Sequence, residues 1–253
     1  MTKNPIVERK NIFFTRARVI LEDELFLRLL KEKEYSYIVA ISHAVLPVAS
    51  SIKIKQKKTL LINLKKSAED TLATFHDTAR NEVRKTFSIL GLEITRDDNR
   101  LEDMYRLYKD FRKVKHLETH GPGFLQAATR FNAYYKNELI SVVTVYGVFP
   151  KLRIQNIFSL TTEDPELRKI IGYATRRLIY EVCAYGAAKN YESLDLASIN
   201  LHSQAKAGIT KFKMSFGGEV IDEYTYTYRS PFVRSLGFWK NIFRSRKIPM
   251  NSV

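Results

Sequence analysis

The chain has 253 residues, with 42 Lys+Arg against 27 Asp+Glu for a formal charge of +15, and 45% of its residues are hydrophobic. That apolar content excludes an intrinsically disordered chain, and 10 Gly and 7 Pro without any period exclude collagen-like and low-complexity classes. A chain of this size buries roughly 70–75% of its unfolded surface, enough for one large domain or two small ones.

The most apolar stretch, Tyr37 to Val48, is about a dozen residues long and is broken by His43 and Pro47, short of the ~20 that a spanning helix needs. The opening MTKNPIVERKNIFF has no apolar region ending in small residues, so a cytoplasmic location is expected. Cys183 is the sole cysteine, which excludes an internal disulfide and a thiolate-cluster metal site. It falls in the pattern Leu178, Ile179, Val182, Cys183 and is expected to pack as a small buried hydrophobe. The net charge points to an anionic partner: nucleic acid, a phosphorylated substrate or an anionic membrane leaflet.

In chain order, Ile12-Phe13-Phe14 is a short apolar segment, Glu22 to Lys31 reads as a helix, and Tyr35 to Ile41 as a strand. Lys53, Lys55, Lys57 and Lys58 around Ile52 and Ile54 suit an edge strand or hairpin with one wet face, followed by the strand-like Thr59 to Leu64. Ser67 is placed to cap a helix carrying Leu72 and Phe75, and a second helix is expected from Asp77 or Thr78 to Leu90, stopped by Gly91. After the strand Leu92 to Thr95, the residues Leu101, Met104, Leu107, Tyr108 and Phe111 mark one helix face. A short helix with Phe124 and Leu125 precedes a three-strand meander, 131–135, 139–148 and 152–160. A long helix from Pro165 to Lys189, the strand 193–196, a loop with Gly208, the stretch Ile209 to Phe216 and the strand Glu219 to Tyr228 follow. This succession describes an α/β layer fold with a mixed sheet. The expected division is a strand-rich extension over 1–58, a main domain over 59–230 and a basic amphipathic tail over 231–253. The tail interleaves Arg234, Lys240, Arg244, Arg246 and Lys247 with aromatic residues, a composition that suits either a docked helix or an anionic membrane surface.

Two segments carry candidate chemistry. In Thr78-Ala-Arg80-Asn-Glu-Val-Arg84-Lys85 the two arginines are one helical turn apart. They form either a bidentate phosphate clamp or a solvated helix side with Asp77 and Glu82 as local partners. In Gly208-Ile-Thr-Lys211-Phe212-Lys213-Met-Ser-Phe216-Gly217-Gly218, an extended chain puts Lys211 and Lys213 on one face and Phe212 on the other. An ammonium held there opposes negative charge on a carbonyl under attack; the alternative is a sheet edge with solvated lysines. His116 and His120 lack a third ligand and a nucleophile elbow is absent, so no metal is expected and hydrolase chemistry has no support.

These motifs occur in order. Arg80-Asn-Glu-Val-Arg84-Lys85 is followed by the long helix ending Ala184-Tyr-Gly186-Ala-Ala-Lys189 and the strand Leu194-Asp-Leu196, and then by Gly208-Ile-(x)₂-Phe212-Lys213-(x)₂-Phe216-Gly217-Gly218. The set resembles the Fem-type peptidoglycan-bridge aminoacyltransferases and their BioF2-like acetyltransferase relatives in the GNAT fold, over about residues 59–228. The resemblance implies a GNAT-like N-acyltransferase whose mostly antiparallel central sheet splays into an acyl-donor cleft. It further implies that Lys213 is the cation polarising the carbonyl, and that Arg80 or Arg84 binds an anionic substrate group. Lys211, Asn200 and Gly217 are expected on the substrate wall, and Lys169-Ile-Ile-Gly172 is a degenerate match to a loop for the CoA pyrophosphate. The donor is then either an aminoacyl-tRNA or an acyl-CoA, with no tightly bound cofactor. The acceptor is an amine on an anionic, envelope-related molecule, which suits a peripheral place at the inner face of the membrane. Leu196-Ala-Ser198-Ile-Asn200 stands where the family usually has Leu-Gly-Gly. The general base is left open among Tyr224, Tyr226, Tyr228, Asp195 and Glu219.

Overall fold

The computed structural model describes residues 6–11, 14–204 and 207–235, so most of the basic tail expected over 231–253 lies outside the described residues. Two compact units are present, one formed by Lys58–Ile221 and the other by the described residues of Pro5–Lys57 and Asp222–Val253.

In the larger unit the strand order is β4, β9, β8, β7, β6, β5, where β4 is Lys53–Asn63 (its residues from Lys58 onward), β5 Leu92–Arg96, β6 Thr129–Tyr135, β7 Glu138–Val148, β8 Lys151–Ser159 and β9 Ser193–Ile199. All neighbours pair antiparallel except β8 and β9, which are parallel. The exception follows from the connection: β8 returns to β9 through the long helix α6 (Pro165–Ala188) rather than a hairpin. α6 begins where Asp164 accepts the Glu166 N–H at 2.9 Å and Pro165 presets the first turn. Its apolar stripe, Ile171, Ala174, Leu178, Ile179, Val182 and Cys183, is buried in the main core with Leu60, Ile62, Val143 and Ile154. Burial pushes the Cys183 thiol up, away from nucleophilic use.

Adjacent residues on a strand point to opposite faces, and Val142 and Val143 show it. Val143 belongs to the core under α6, whereas Val142 packs with Phe158, Met104, Leu107 and Tyr108 beneath α4 (Leu101–Val114) and α5 (Gly123–Gln126). On the α6 side lie α2 (Ala68–Ala73), capped by the Ser67 hydroxyl accepting the Asp70 N–H at 3.0 Å, and α3 (Asp77–Thr86). α3 is shorter than the helix to Leu90 expected from sequence. Gly91, at φ +80°, ends the turn that follows.

The stretch 209–216, whose two lysines would share a face only if extended, is helical: α7 spans Ala207–Met214. The alternation of Lys and Phe suggests a strand, but Phe212 and Phe216, four apart, are the pair that packs. Their rings meet edge to face at 5.0 Å, and Phe216 meets Phe75 at 5.2 Å. Gly217 and Gly218 then turn the chain out of α7 at φ +69° and +94°. A Cβ on them would lie 2.4 Å from the Thr74 carbonyl oxygen and 2.3 Å from that of Leu61, so both positions admit only glycine.

In the smaller unit the order is β1 (Ile6–Asn11), β2 (Phe14–Ile20), β3 (Tyr37–Ser42), β10 (Glu219–Arg229) and the first half of β4. Its core joins Phe26 and Leu29 of α1 (Asp23–Glu32) to Ile38, Ala40 and Tyr226. The Tyr226 hydroxyl donates to the Ala44 carbonyl at 3.0 Å and accepts the Leu46 N–H at 2.8 Å, which makes it a buried loop anchor rather than a base. Among the described residues no helix is long and apolar enough to cross a membrane.

Candidate active site at a fork between parallel strands

β8 and β9 pair only through Lys151, Leu152 and Arg153 with Ser193, Leu194 and Asp195. Beyond that rung each strand keeps its outer neighbour: β8 follows β7 as far as Ser159, and β9 follows β4 as far as Ile199. The sheet therefore opens into a fork.

Its base is a buried polar group. Arg153 and Asp195, 5% and 0% exposed, form an ion pair across the last rung. Thr59 of β4 donates its hydroxyl to Asp195 Oδ1, and the same oxygen accepts the Ala197 N–H at 2.7 Å. That last bond reaches two residues along the chain, an Asx-type turn, and Ala197 adopts φ +62°. The β4–β9 register shifts at this point, with Thr59 opposite Ser198 but Leu61 opposite Asp195, so β9 carries a bulge. The bulge turns the Ala197 and Ser198 carbonyls toward α7, where Lys213 Nζ donates to them at 3.2 and 3.0 Å. Two carbonyl dipoles thus fix a half-buried ammonium just past the point of divergence. Arg153 and Thr59 were not singled out from sequence. The available signal was a charge in the middle of each apolar strand, Leu152-Arg-Ile154 and Leu194-Asp-Leu196. With its carboxylate committed to Arg153, Thr59 and Ala197, Asp195 is an anchor and not a proton acceptor.

The remaining expected residues are placed as follows. Lys211 is exposed and, two residues from Lys213 on a helix, points about 200° away from it, so the shared face expected for the two lysines is lost with the extended conformation. Asn200 organises the loop after β9, its Oδ1 accepting the His202 and Ser203 N–H groups at 3.1 and 3.0 Å. Its carbonyl accepts the Thr210 hydroxyl at 3.0 Å. Gly217 serves a close backbone approach. Arg80 turns back on its own chain: Nη1 donates to the Ala73 and Phe75 carbonyls at 3.0 and 3.2 Å, and Nη2 pairs with Asp77. The guanidinium is thereby spent on the α2–α3 turn, and the two-arginine clamp is not assembled. Arg84 remains exposed on α3.

Lys169 and Gly172 lie inside α6, about one and two turns past Pro165, where backbone N–H groups are already bonded along the helix. They form no loop. The start of α6 is no better suited to a pyrophosphate. The Asp164 side chain occupies the Glu166 N–H, and Glu163 and Glu166 flank it, paired with Arg168 at 3.6 Å and Lys169 at 3.7 Å. A diphosphate there would meet carboxylates beside the helix N-terminus, where anion binding needs free N–H donors. The residues present do not fit CoA at this position.

No family model matches the chain, and no relative is found among the curated proteins. Solved structures do match. FemX is similar with a TM-score of 0.63 at 12% identity, covering 91% of this chain and 86% of its own. The C-terminal domain (DUF2156) of a protein assigned as a lysylphosphatidylglycerol synthetase in Agrobacterium fabrum gives 0.58 at 10% identity, over 94% and 84%. L-PGS from Bacillus licheniformis gives 0.52 at 14% identity, over 89% and 81%. At such identities the likeness establishes the fold alone: a mixed sheet flanked by helices, shared with FemX and the two other structures.

Proposed function

We propose that this protein is an acyltransferase that moves an aminoacyl group from an aminoacyl-tRNA onto an amine of an anionic, envelope-related acceptor. The observation that carries this reading is Lys213, a cation fixed by two carbonyls at the edge of the β8–β9 fork. Attack by the amine forms the N–C bond and drives an electron pair onto the carbonyl oxygen. The ammonium opposes that charge, and collapse of the intermediate breaks the ester C–O bond to the RNA ribose. The amine proton leaves to water or to a carboxylate of the acceptor, and the departing ribose oxygen takes up a proton from water, so the RNA leaves with a free hydroxyl. The protein supplies alignment and charge.

Two further observations support the donor and acceptor classes. The acidic start of α6 disfavours the diphosphate of CoA, and a charge of +15 suits a polyanionic donor. FemX, a protein assigned as a lysylphosphatidylglycerol synthetase and L-PGS share the fold; lysylphosphatidylglycerol is an anionic lipid aminoacylated on a hydroxyl, so that name supports an aminoacyl group and an anionic acceptor and leaves the amine to the comparison of the two acceptor pools below. The working location is the cytoplasm at the inner membrane face, with the basic segment 231–253 as the contact.

The test is transfer of radiolabelled amino acids from bulk charged tRNA to membrane lipid extract and to soluble cell-wall precursors. Lys213→Gln lowers transfer by ~10²–10³, while a loss of ~1–2 kcal/mol lowers Tm by only roughly 2–8 °C. Full activity in that variant removes the role of Lys213. Micromolar binding of acetyl-CoA in calorimetry replaces the tRNA reading by a CoA-dependent one, and salt-sensitive RNA binding without any transfer replaces it by a non-catalytic binder.

A further inference from the structure

Phe87, which ends α3, is 61% exposed. One face of its ring is covered, since Arg177 of α6 lays its guanidinium carbon 3.5 Å from the ring centroid. Arg177 is itself fixed, with Nε donating to Glu181 at 2.6 Å and Nη1 to the Thr86 hydroxyl at 3.2 Å. Tyr180 braces the ring edge-on at 6.4 Å. The ring is therefore rigid and backed by a cation, with its other face in solvent. That is the arrangement of a stacking platform rather than of a core aromatic.

The surrounding charge has the sign a nucleic acid needs. Arg84, three residues before Phe87, lies beside it on the helix surface and is exposed, as is Lys85, whose Nζ sits 5.7 Å over the Tyr173 ring. Two carboxylates of this region are engaged by α6 arginines, Glu82 by Arg176 at 3.0 Å and Glu181 by Arg177, while Glu69, whose charge also reaches Tyr180, stays exposed. Arg176, the neighbour of Arg177, stands 5.2 Å over the ring of Phe212, and Phe212 precedes Lys213. The platform and the ammonium thus belong to one run of contacts across α3, α6 and α7.

We propose that Phe87, backed by Arg177, stacks a base in the single-stranded 3′ end of the RNA donor, with Arg84 and Lys85 on the adjoining phosphates. The inference rests on the aminoacyl-tRNA reading and adds to it a place and a mode of binding. Stacking tolerates any base, so the platform grips the strand without reading sequence.

The experiment is fluorescence anisotropy of the full chain with two RNA hairpins, one carrying a four-nucleotide 3′ extension and one blunt. Wild type binds the extended hairpin more tightly. Phe87→Ala loses about tenfold or more of that affinity and Phe87→Trp retains it. Arg84→Gln lowers the salt slope by about 0.7, one single-strand phosphate. Equal affinity of Phe87→Ala and wild type for the extended hairpin overturns the platform, as does a wild type indifferent to the extension. The two readings separate in the transfer assay. Transfer whose KM for charged tRNA is unmoved by Phe87→Ala sinks the platform alone. Phe87-dependent hairpin binding in a protein that transfers nothing upholds the platform and sinks the enzymatic reading.

Discussion

Asp195 and Lys213 hold the same residue from its two ends: Asp195 Oδ1 accepts the Ala197 N–H at 2.7 Å, and Lys213 Nζ donates to the Ala197 carbonyl at 3.2 Å. The carboxylate is tied to β8 through Arg153 and to β4 through Thr59. The position of the ammonium is thereby set by the base of the fork, and a change at Asp195 is felt at Lys213 through Ala197.

Asp195→Asn keeps an acceptor for Thr59 and Ala197 but removes the charge that faces Arg153. Breaking a buried ion pair from one side typically costs about 3–5 kcal/mol, because the other charge stays buried. Urea denaturation is expected to show a loss in that range. A change below 1 kcal/mol would contradict the role assigned to the pair.

Ala197 holds a left-handed conformation at φ +62°. An L-residue with a Cβ pays roughly 1–2 kcal/mol there, part of which glycine recovers. Ala197→Gly is expected to stabilise the chain by about 0.5–1 kcal/mol and to leave the Lys213 contacts intact. A lower denaturation midpoint would refute the strain.

Gly218 has the opposite sensitivity. With φ +94° and the Leu61 carbonyl oxygen 2.3 Å from where a Cβ would stand, Gly218→Ala must displace backbone. A loss of at least about 2 kcal/mol is expected. Calorimetric melting that matches wild type would show that the turn has room.

Asp98 gives a pH dependence. Burial acts to raise its carboxyl, but hydrogen bonds from Thr95, Asn132, Tyr134 and the Arg100 N–H outweigh it and hold the group below its ordinary 3.8. The folded state thus binds this proton less readily than the unfolded chain. The resulting stability is fully present above the unfolded value and is lost as pH falls through the lower folded one. Comparing wild type with Asp98→Asn by denaturation from about pH 6 to pH 2 should show the wild-type advantage shrinking only at the acid end. An advantage that grows on acidification would reverse the assignment.

Much of the fold was legible because its signals are local. The stripe from Ile171 to Cys183 repeats at three and four residues and Pro165 follows Asp164, so α6 was bounded within a residue or two. The meander was readable from its apolar runs and turn residues. α7 is not legible in the sequence, because Lys211-Phe-Lys213 also satisfies the period of a strand over three residues. The deciding pair, Phe212 and Phe216, acquires meaning only once Phe75 is there to pack against.

The sequence alone determined a basic, cysteine-poor α/β chain with two glycines after Phe216 and a lysine before Met214, since composition, periodicity and conformational demand are properties of single residues and near neighbours. Tertiary structure decided that Arg80 closes its own turn, that Lys169 and Gly172 are interior to a helix, and that Arg153, Asp195 and Thr59 meet at a fork from three strands. Those outcomes depend on which carbonyls and carboxylates lie within about 3 Å of a polar atom, and hydrogen bonds of that reach join residues far apart in the chain.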